Sequence, residues 1–253
     1  MSTMRETYGA DQGDAWLHAR IGRITGSRLA EVCSYLQKKS GLKVAGDSSG
    51  TRDNYKLELI SERLTGRDKD QFNSPAMQRG SALEEDARMC YEKALNVIAE
   101  PVGFVVHPEH DFTGATADSL VNDEGVLEIK CLLPWNHLKY VIAEEVPEEY
   151  IPQVAWEMAC TGRKWADFVL YCPDIIGAEE WRFWYRRIHI EDLRWTVTCY
   201  ATKPATDVVL EGAAVIDYFT SEVLKFEAEI QAFMAKHHAR PVAPYPLQLK
   251  EEK

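Results

Sequence analysis

The sequence predicts an α/β fold in which a central mixed β-sheet is flanked by helices. Helical patterns fill most of the first hundred residues, short segments rich in β-branched residues follow, and a long amphipathic helix lies near the C-terminus. Helices before, within and after a set of strands are typical of a layered α/β domain. A chain of 253 residues can bury one large core. We therefore predict a single domain over residues 1–253.

Three helices are predicted before the first strands. The first begins at Ser27, whose hydroxyl is a candidate N-cap. The second covers about residues 52–64 and follows a loop rich in Gly and Ser. Residues 67–80 have the composition of another loop, and apolar residues at helical spacing then predict a third helix from about Ser81 to Leu95.

The middle of the chain has the pattern of short strands separated by turn residues. Such segments occur at 102–107, 112–119 and 125–131, and we predict that they form a meander of three strands. Further along, the predicted elements are a helix near 150–160, strands at 167–173 and 181–190, and a long helix near 214–236.

Composition narrows the possible functions. No apolar run is long enough to cross a membrane, and the N-terminus lacks the pattern of a secretory signal, so we expect a cytoplasmic protein without a membrane partner. The net charge of −11 argues against a protein that coats nucleic acid, although a local basic channel could still bind DNA. The six cysteines form no C-x-x-C pair, which argues against zinc and iron–sulfur sites.

The segment 116–131 contains the residues most suggestive of chemistry. Asp118 lies at the end of one predicted strand, and Glu128 and Lys130 alternate on the next, so these two side chains share one face. A short turn between the strands can bring Asp118 beside Glu128. Two carboxylates can hold a Mg²⁺ ion that activates water against a phosphodiester, and a lysine can stabilise the developing charge.

Each of these residues also has a simpler interpretation. The D-x9-E-x-K pattern is weak by itself, and its members could be solvated residues of a half-exposed strand. Ser81 and Glu84 fit an S-x-x-E capping box, whereas the functional alternative makes Glu84 a third carboxylate of the site. Gln153 and Glu157 lie one helical turn apart, a spacing typical of a solvated helix face. The functional alternative is that Gln153 points at the site.

Five blocks in order nevertheless make the sequence resemble the phage lambda exonuclease family, the YqaJ-like viral recombinases of the PD-(D/E)xK nuclease superfamily. The blocks are residues 12–27, 79–88, 116–120, 127–131 and 151–162. The resemblance implies a restriction-endonuclease-like core, with a catalytic part over about 12–190 and a helical C-terminal region over 205–240.

The resemblance also implies roles for residues that match the family's motifs. Asp118, Glu128 and the Ile129 carbonyl would bind Mg²⁺, for which Mn²⁺ would substitute. Lys130 would be the catalytic lysine. Glu84 matches the upstream glutamate of the family site, which would reach the metal directly or through water.

Other matches concern the catalytic strand and the DNA end. Gln153 matches a glutamine that follows the catalytic strand and completes the catalytic set. Arg20 and Ser27 match positions that grip a terminal 5′-phosphate, and Thr116 stands where a phosphate-contacting serine occurs. The family's Pro-Asp-Gly is here Ala-Asp-Ser, at 117–119. No DNA contact is assigned within 132–139, where His137 and Lys139 are the candidates.

The activity implied is digestion of one strand of linear double-stranded DNA, 5′→3′ from a phosphorylated end, leaving 3′ single-stranded overhangs for recombination by strand annealing. The implied partners are two further copies of the chain in a ring-shaped homotrimer and a single-strand annealing protein, in a bacterial cell that hosts a phage or prophage. Two alternatives stay open at this point. One is an endonuclease on the same core, and the other is a DNA-binding recombination module with an inactive site.

Overall fold

Two β-sheets lie at the centre of the fold, with helices packed around them. The structure is a computed structural model that describes residues 7–9, 13–68, 75–200 and 204–242. The helices are α1 (Asp14–Arg20), α2 (Leu29–Val32), α3 (Gly50–Thr65), α4 (Pro75–Leu95), α5 (Pro134–Ala143), α6 (Ile151–Thr161) and α7 (Ala213–Lys236). The strands are β1 (Thr7–Tyr8), β2 (Ile24–Thr25), β3 (Ala99–Pro101), β4 (Phe104–Val106), β5 (Thr113–Ala115), β6 (Ser119–Val121), β7 (Gly125–Lys130), β8 (Trp165–Tyr171), β9 (Phe183–His189), β10 (Arg194–Cys199) and β11 (Thr206–Glu211).

The larger sheet has the strand order β3-β6-β7-β8-β9, and β7 lies at its centre. The pairing of β7 is antiparallel to β6 and parallel to β8. Leu127 and Ile129 pack in one apolar cluster with residues of α4, whereas Val126 packs in the other with residues of α6. The predicted mixed sheet flanked by helices is therefore confirmed, and the alternation of β7 sends Glu128 and Lys130 to the α6 side.

The predicted meander of three strands is wrong, because its segments divide between two sheets. Strands β4 and β5 pair with each other in the smaller sheet, whose order is β1-β4-β5-β2. The segment 112–119 then leaves that sheet after Ala115, and the chain enters the larger sheet at Ser119 as β6. Residues 116–118 are therefore the crossing between the sheets. The sequence conceals it because the crossing starts at Thr116 and Ala117, which are not turn-forming residues.

Two helix boundaries also differ from prediction. Helix α4 begins at Pro75, so Ser81 lies inside it and the capping-box interpretation of Ser81 and Glu84 is wrong. Proline is well tolerated in the first turn of a helix, which explains how part of a loop-like sequence becomes helical. Ser27 lies within a short 3₁₀ turn before α2, and its side chain caps neither element.

The C-terminal region 205–240 is not helical throughout. Thr206–Glu211 forms β11, an exposed strand that pairs antiparallel with β10, and the helix begins only at Ala213. Threonine and valine in this stretch favour a strand over a helix. The second helix, the helix near 150–160 and the long final helix are confirmed as α3, α6 and α7. Within the described ranges, none of the helices combines the length and apolar character that a membrane span requires.

Candidate active site

A single cavity of about 1010 Å³ collects the residues to which the sequence assigned roles. Its walls come from α1, the turn before α2, α4, the crossing between the sheets, the end of β7 and the start of α6. The predicted residues among those that line it are Arg20, Ser27, Glu84, Thr116, Asp118, Glu128, Ile129, Lys130 and Gln153. The fold thus brings residues from 20 to 153 to one place.

Asp118 is fixed at the crossing by the backbone of β7. Its N–H donates to the carbonyl of Leu127 at 3.0 Å, and its Oδ2 accepts from the N–H of Ile129 at 2.6 Å. Burial and the charges of Glu128 and Glu84 raise the pKa of Asp118 well above its ordinary value. The chain therefore holds this carboxylate against electrostatic repulsion, which is typical of a site that binds a cation.

Glu128 is 2% exposed and has two different oxygens. Its Oε1 accepts from Lys130 Nζ at 2.5 Å and from Gln153 Nε2 at 2.6 Å. Its Oε2 is buried and has no hydrogen-bond partner in the structure. A buried carboxylate oxygen without a partner is costly, so this atom is the clearest candidate for a ligand to a bound ion.

Lys130 and Gln153 complete the inner part of the site. Burial disfavours the charged ammonium, but the charges of Glu128 and Asp118 outweigh burial and raise the pKa of Lys130. Lys130 stays a cation, 3.3 Å from the Gln153 Oε1 that accepts its hydrogen bond. It also lies 5.1 Å from the ring centre of Tyr150, a cavity residue that sequence reasoning did not single out.

Glu157 belongs to this network, and its interpretation as a solvated residue is wrong. Its side chain is fully buried, and Gln153 Nε2 donates to its Oε1 at 2.9 Å. Burial and the charge of Glu128 raise the pKa of Glu157 well above its ordinary value. Because the Gln153 amide nitrogen is shared by Glu128 and Glu157, the amide oxygen turns toward Lys130. Glu157 thus fixes the orientation of the Gln153 amide.

We expect Glu157→Ala to lower kcat for DNA cleavage about tenfold with little change in KM, because loss of a residue that orients the inner site has effects of this size. Glu157→Gln keeps an acceptor for the Gln153 amide and should retain most of the activity. Steady-state kinetics of both variants provide the measurement. Full activity of Glu157→Ala would show that the Gln153 amide needs no such support.

The donor atoms at the base of the cavity fit a hard divalent cation. The Ile129 N–H points to Asp118, and in a strand the N–H and C=O of one residue face the same edge. Pairing of β6 with β7 begins only at Ser119 and Leu127, so the Ile129 carbonyl faces the Asp118 side beyond the paired region. Two carboxylates and this carbonyl are the oxygen ligands that Mg²⁺ and Mn²⁺ prefer.

Glu84 lines the same cavity as this donor set. Burial and the charge of Glu128 raise the pKa of Glu84. In the described parts of the chain, no group of three or more His, Cys, Asp or Glu side chains is arranged to hold a metal ion. Mg²⁺ commonly takes one or two protein carboxylates and completes its shell with water and substrate phosphate. A contact from Glu84 to the ion through water, which the family resemblance allows, would be consistent with such a shell.

A second group of predicted residues lines the cavity from the α1 side. The guanidinium of Arg20 lies over the Trp16 ring at 4.1 Å, and Trp16 Nε1 donates to Thr116 Oγ1 at 3.0 Å. Ser27 is exposed, with its Oγ 3.4 Å from Thr25 Oγ1. Burial lowers the pKa of Arg20, because the nearby negative charges do not fully offset the lost solvation of its guanidinium. A phosphate would supply the missing negative charge.

Two further residues change the sequence interpretation. Arg79 lines the cavity and pairs with Asp174 at 2.8 Å, although sequence reasoning gave it no role. His137, a candidate DNA contact, is instead fully buried, with its Nε2 2.6 Å from the carbonyl oxygen of Trp181. Asn136 reaches the cavity from the same helix. After β7 the cavity is thus lined by Leu132, Leu133 and Asn136, and His137 is not among its lining residues.

Comparisons with known proteins identify the family. The model of the YqaJ-like viral recombinase domain matches residues 15–164, more than half of the chain. The alkaline exonuclease LHK-Exo from Laribacter hongkongensis is 32% identical, with 89% of this chain and 96% of that chain covered and a TM-score of 0.71. Its complex with dAMP gives 32% identity, coverage of 89% and 98%, and a TM-score of 0.69. A comparison with curated proteins gave no match.

A phage-related exonuclease from Haemophilus somnus 129PT is 14% identical, with coverage of 85% and 96% and a TM-score of 0.51, and this likeness concerns the fold alone. The mixed sheet between helices, with a carboxylate–lysine cavity at the end of β7, defines a nuclease-like α/β fold. The chain belongs to the YqaJ-like viral recombinase family. The family resemblance seen in the sequence blocks is thereby confirmed.

Proposed function

We propose that the chain is a Mg²⁺-dependent exonuclease that digests one strand of linear double-stranded DNA from its 5′ end and leaves a 3′ overhang. Family membership and the likeness to an alkaline exonuclease support a DNA exonuclease role. The observation that carries the finer proposal is the shared cavity, in which the Asp118–Glu128–Lys130 group faces the same space as Arg20, Ser27 and Thr116.

In this proposal the chain's own residues divide the chemistry between them. A bound Mg²⁺ ion, or Mn²⁺ in its place, would supply positive charge at the scissile phosphate and lower the pKa of the attacking water. Asp118, Glu128 and the Ile129 carbonyl would hold that ion. Lys130, kept cationic by Glu128, would stabilise charge on the phosphate oxygens as water attacks phosphorus and the 3′ oxygen of the terminal nucleotide leaves.

End recognition supports an exonuclease over an enzyme that cuts inside DNA. Arg20, Ser27 and Thr116 offer a cation and two hydroxyls to one anionic group on the wall of the same cavity. A terminal phosphate has more charge and more free oxygens than an internal one. We therefore infer that these residues bind the 5′-phosphate of the strand that is digested.

Arg20→Ala should remove the preference for 5′-phosphorylated over 5′-hydroxyl ends. A lost charge-assisted contact of this kind corresponds to about tenfold or more in kcat/KM on phosphorylated ends. Initial rates on the two substrates give the measurement. An unchanged preference in the variant would contradict the assignment of Arg20.

Digestion of end-labelled linear duplex, with and without a 5′-phosphate, tests the proposed function as a whole. We expect label at the 5′ end to be released first, in Mg²⁺ and not in chelator, with faster release from phosphorylated ends. A covalently closed circle should stay intact. Cleavage of the circle would indicate an endonuclease, and an inactive protein that still binds duplex would indicate a binding module.

The proposal extends to the assembly in which the chain works. We infer a ring-shaped homotrimer around the DNA, a single-strand annealing protein as partner on the exposed 3′ strand, and a phage or prophage recombination system in the bacterial cytoplasm. A net charge of −11 is compatible with a ring, because only the lumen has to be basic. Light scattering of the purified protein tests the trimer.

A further inference from the structure

The turn between α1 and β2 connects the two parts of the chain that carry Arg20 and Ser27. The Arg23 N–H donates to the Arg20 carbonyl at 2.9 Å and closes a four-residue turn. Ile21 has φ −52° and ψ 123°, and Gly22 has φ +69°. These angles define a type II turn, in which the third residue needs the left-handed conformation that favours glycine. The position of Arg20 therefore depends on how this turn is held.

Helix α3 holds the turn from both sides of Gly22. Glu62 Oε2 accepts from the Gly22 N–H at 2.7 Å. Arg63 Nε donates to the Gly22 carbonyl at 2.9 Å. Two neighbouring residues of one helix thus bind the donor and the acceptor of a single backbone residue, which fixes both its position and its orientation.

Arg63 is itself held by the C-terminal helix α7. Its two terminal nitrogens donate to the two carboxylate oxygens of Glu227, at 2.8 and 2.7 Å, and both side chains are buried. A bidentate arginine–carboxylate pair fixes the plane of the guanidinium. Because that guanidinium also bonds Gly22, α7 contributes to the placement of the turn.

The same face of α3 supports the other end of the segment. Tyr55, seven residues before Glu62, is buried, and its hydroxyl accepts from the Thr25 N–H at 3.1 Å. Residues seven and eight apart lie on one side of a helix. Helix α3 therefore contacts the chain both just after Arg20 and just before Ser27.

We propose that Glu62, Arg63 and Glu227 form a clamp on the Gly22 turn that positions Arg20 and Ser27 to bind the terminal phosphate. The inference rests on the proposed recognition of 5′-phosphorylated ends and adds residues that touch no substrate. Displacement of a positioned group by about 1 Å can lower a rate by as much as a hundredfold. Loosening the clamp should therefore affect end recognition more than cleavage chemistry.

The test is the ratio of initial rates on 5′-phosphorylated and 5′-hydroxyl linear duplexes in Mg²⁺. Glu62→Ala should lower this ratio on the order of tenfold, with a higher KM for phosphorylated ends and an unchanged kcat. Glu62→Gln keeps the acceptor for the Gly22 N–H and should retain most of the preference. If Glu62→Gln lost as much of the preference as Glu62→Ala, the effect would depend on the charge of Glu62. That result would overturn the hydrogen-bonded clamp.

The chain contains a matched control for Arg63. Arg52, also on α3 and buried, makes a bidentate pair with Glu229 of α7 at 2.7 and 3.0 Å, and its Nε donates to the Val32 carbonyl at 2.8 Å. Arg63→Met and Arg52→Met should lower the melting temperature similarly. Only Arg63→Met should lower the preference for phosphorylated ends, and equal preferences in the two variants would overturn the clamp.

The outcomes separate the clamp from the function on which it rests. A wild-type protein without any preference would refute the proposed end recognition. A wild-type preference that Glu62→Ala leaves intact would refute the clamp alone. If Arg63→Met does not fold, the two Glu62 variants decide, because Glu62 is only partly buried and its substitution leaves the Arg63–Glu227 pair in place.

Discussion

Lys130→Ala is expected to lower the rate of DNA cleavage by about a thousandfold, within the range for a group that stabilises charge at the reacting centre. The cation lies 2.5 Å from Glu128 and lines the cavity where the scissile phosphate would bind. Loss of the Lys130 ammonium removes this charge stabilisation but leaves the Arg20 side of the cavity intact. Duplex binding should therefore persist, and a gel-shift titration beside the cleavage assay measures both.

Lys164→Ala is the matched control for the loss of a lysine. Lys164 directly precedes β8, whose first residue, Trp165, pairs with Gly125 at the start of β7. Lys164 therefore lies near the opposite end of β7 from Lys130. Its side chain is exposed and forms an ion pair with Glu124. Cleavage by this variant should equal that of the wild type. Equal cleavage by Lys130→Ala would refute the catalytic assignment.

Asp118→Asn is expected to abolish cleavage and, in chelator at neutral pH, to raise the melting temperature. The carboxylate is held beside Glu128 and Glu84, so its removal relieves repulsion as it removes a metal ligand. A rise of about 3 °C would correspond to roughly 1 kcal/mol in a protein of this size. Added Mg²⁺ or Mn²⁺ should raise the melting temperature of the wild type and not that of the variant.

The stability difference between the wild type and Asp118→Asn should change with pH in one direction. The folded protein raises the pKa of Asp118 above 3.8, its ordinary value, so the folded state binds the proton more tightly than the unfolded state. In chelator, the stability of the wild type relative to Asp118→Asn should be greatest below about pH 4, and it should fall as the pH rises toward the folded pKa. A wild-type stability that increases with pH relative to that of Asp118→Asn would contradict a strained carboxylate at this position.

Much of the fold and most of the candidate site could be predicted from local pattern. Alternation along 125–131 predicted correctly that Glu128 and Lys130 share a face, because the period of a strand leaves no other arrangement. Helical spacing located α3, α6 and α7 in the same way. The ordered family blocks then added Arg20 and Gln153, which no periodicity marks as functional.

The remaining features depend on contacts between residues far apart in sequence. The burial of Glu157 follows from the packing of α6 against β7 and β8, whereas its spacing alone is also typical of a solvated face. The bond from Trp16 to Thr116 joins residues a hundred positions apart. The early start of α4 was concealed because proline and glycine in 75–80 have the composition of a loop, although both can be accommodated in a helix.

The central claim is that Asp118, Glu128 and the Ile129 carbonyl hold a divalent cation at the scissile phosphate. Anomalous diffraction from crystals of the Lys130→Ala variant, grown with Mn²⁺ and a 5′-phosphorylated duplex, tests it most directly. We predict an anomalous peak bound by both carboxylates and the carbonyl, with a phosphate oxygen of the DNA in its coordination shell. A peak elsewhere, with neither carboxylate bound to it, would contradict the assignment.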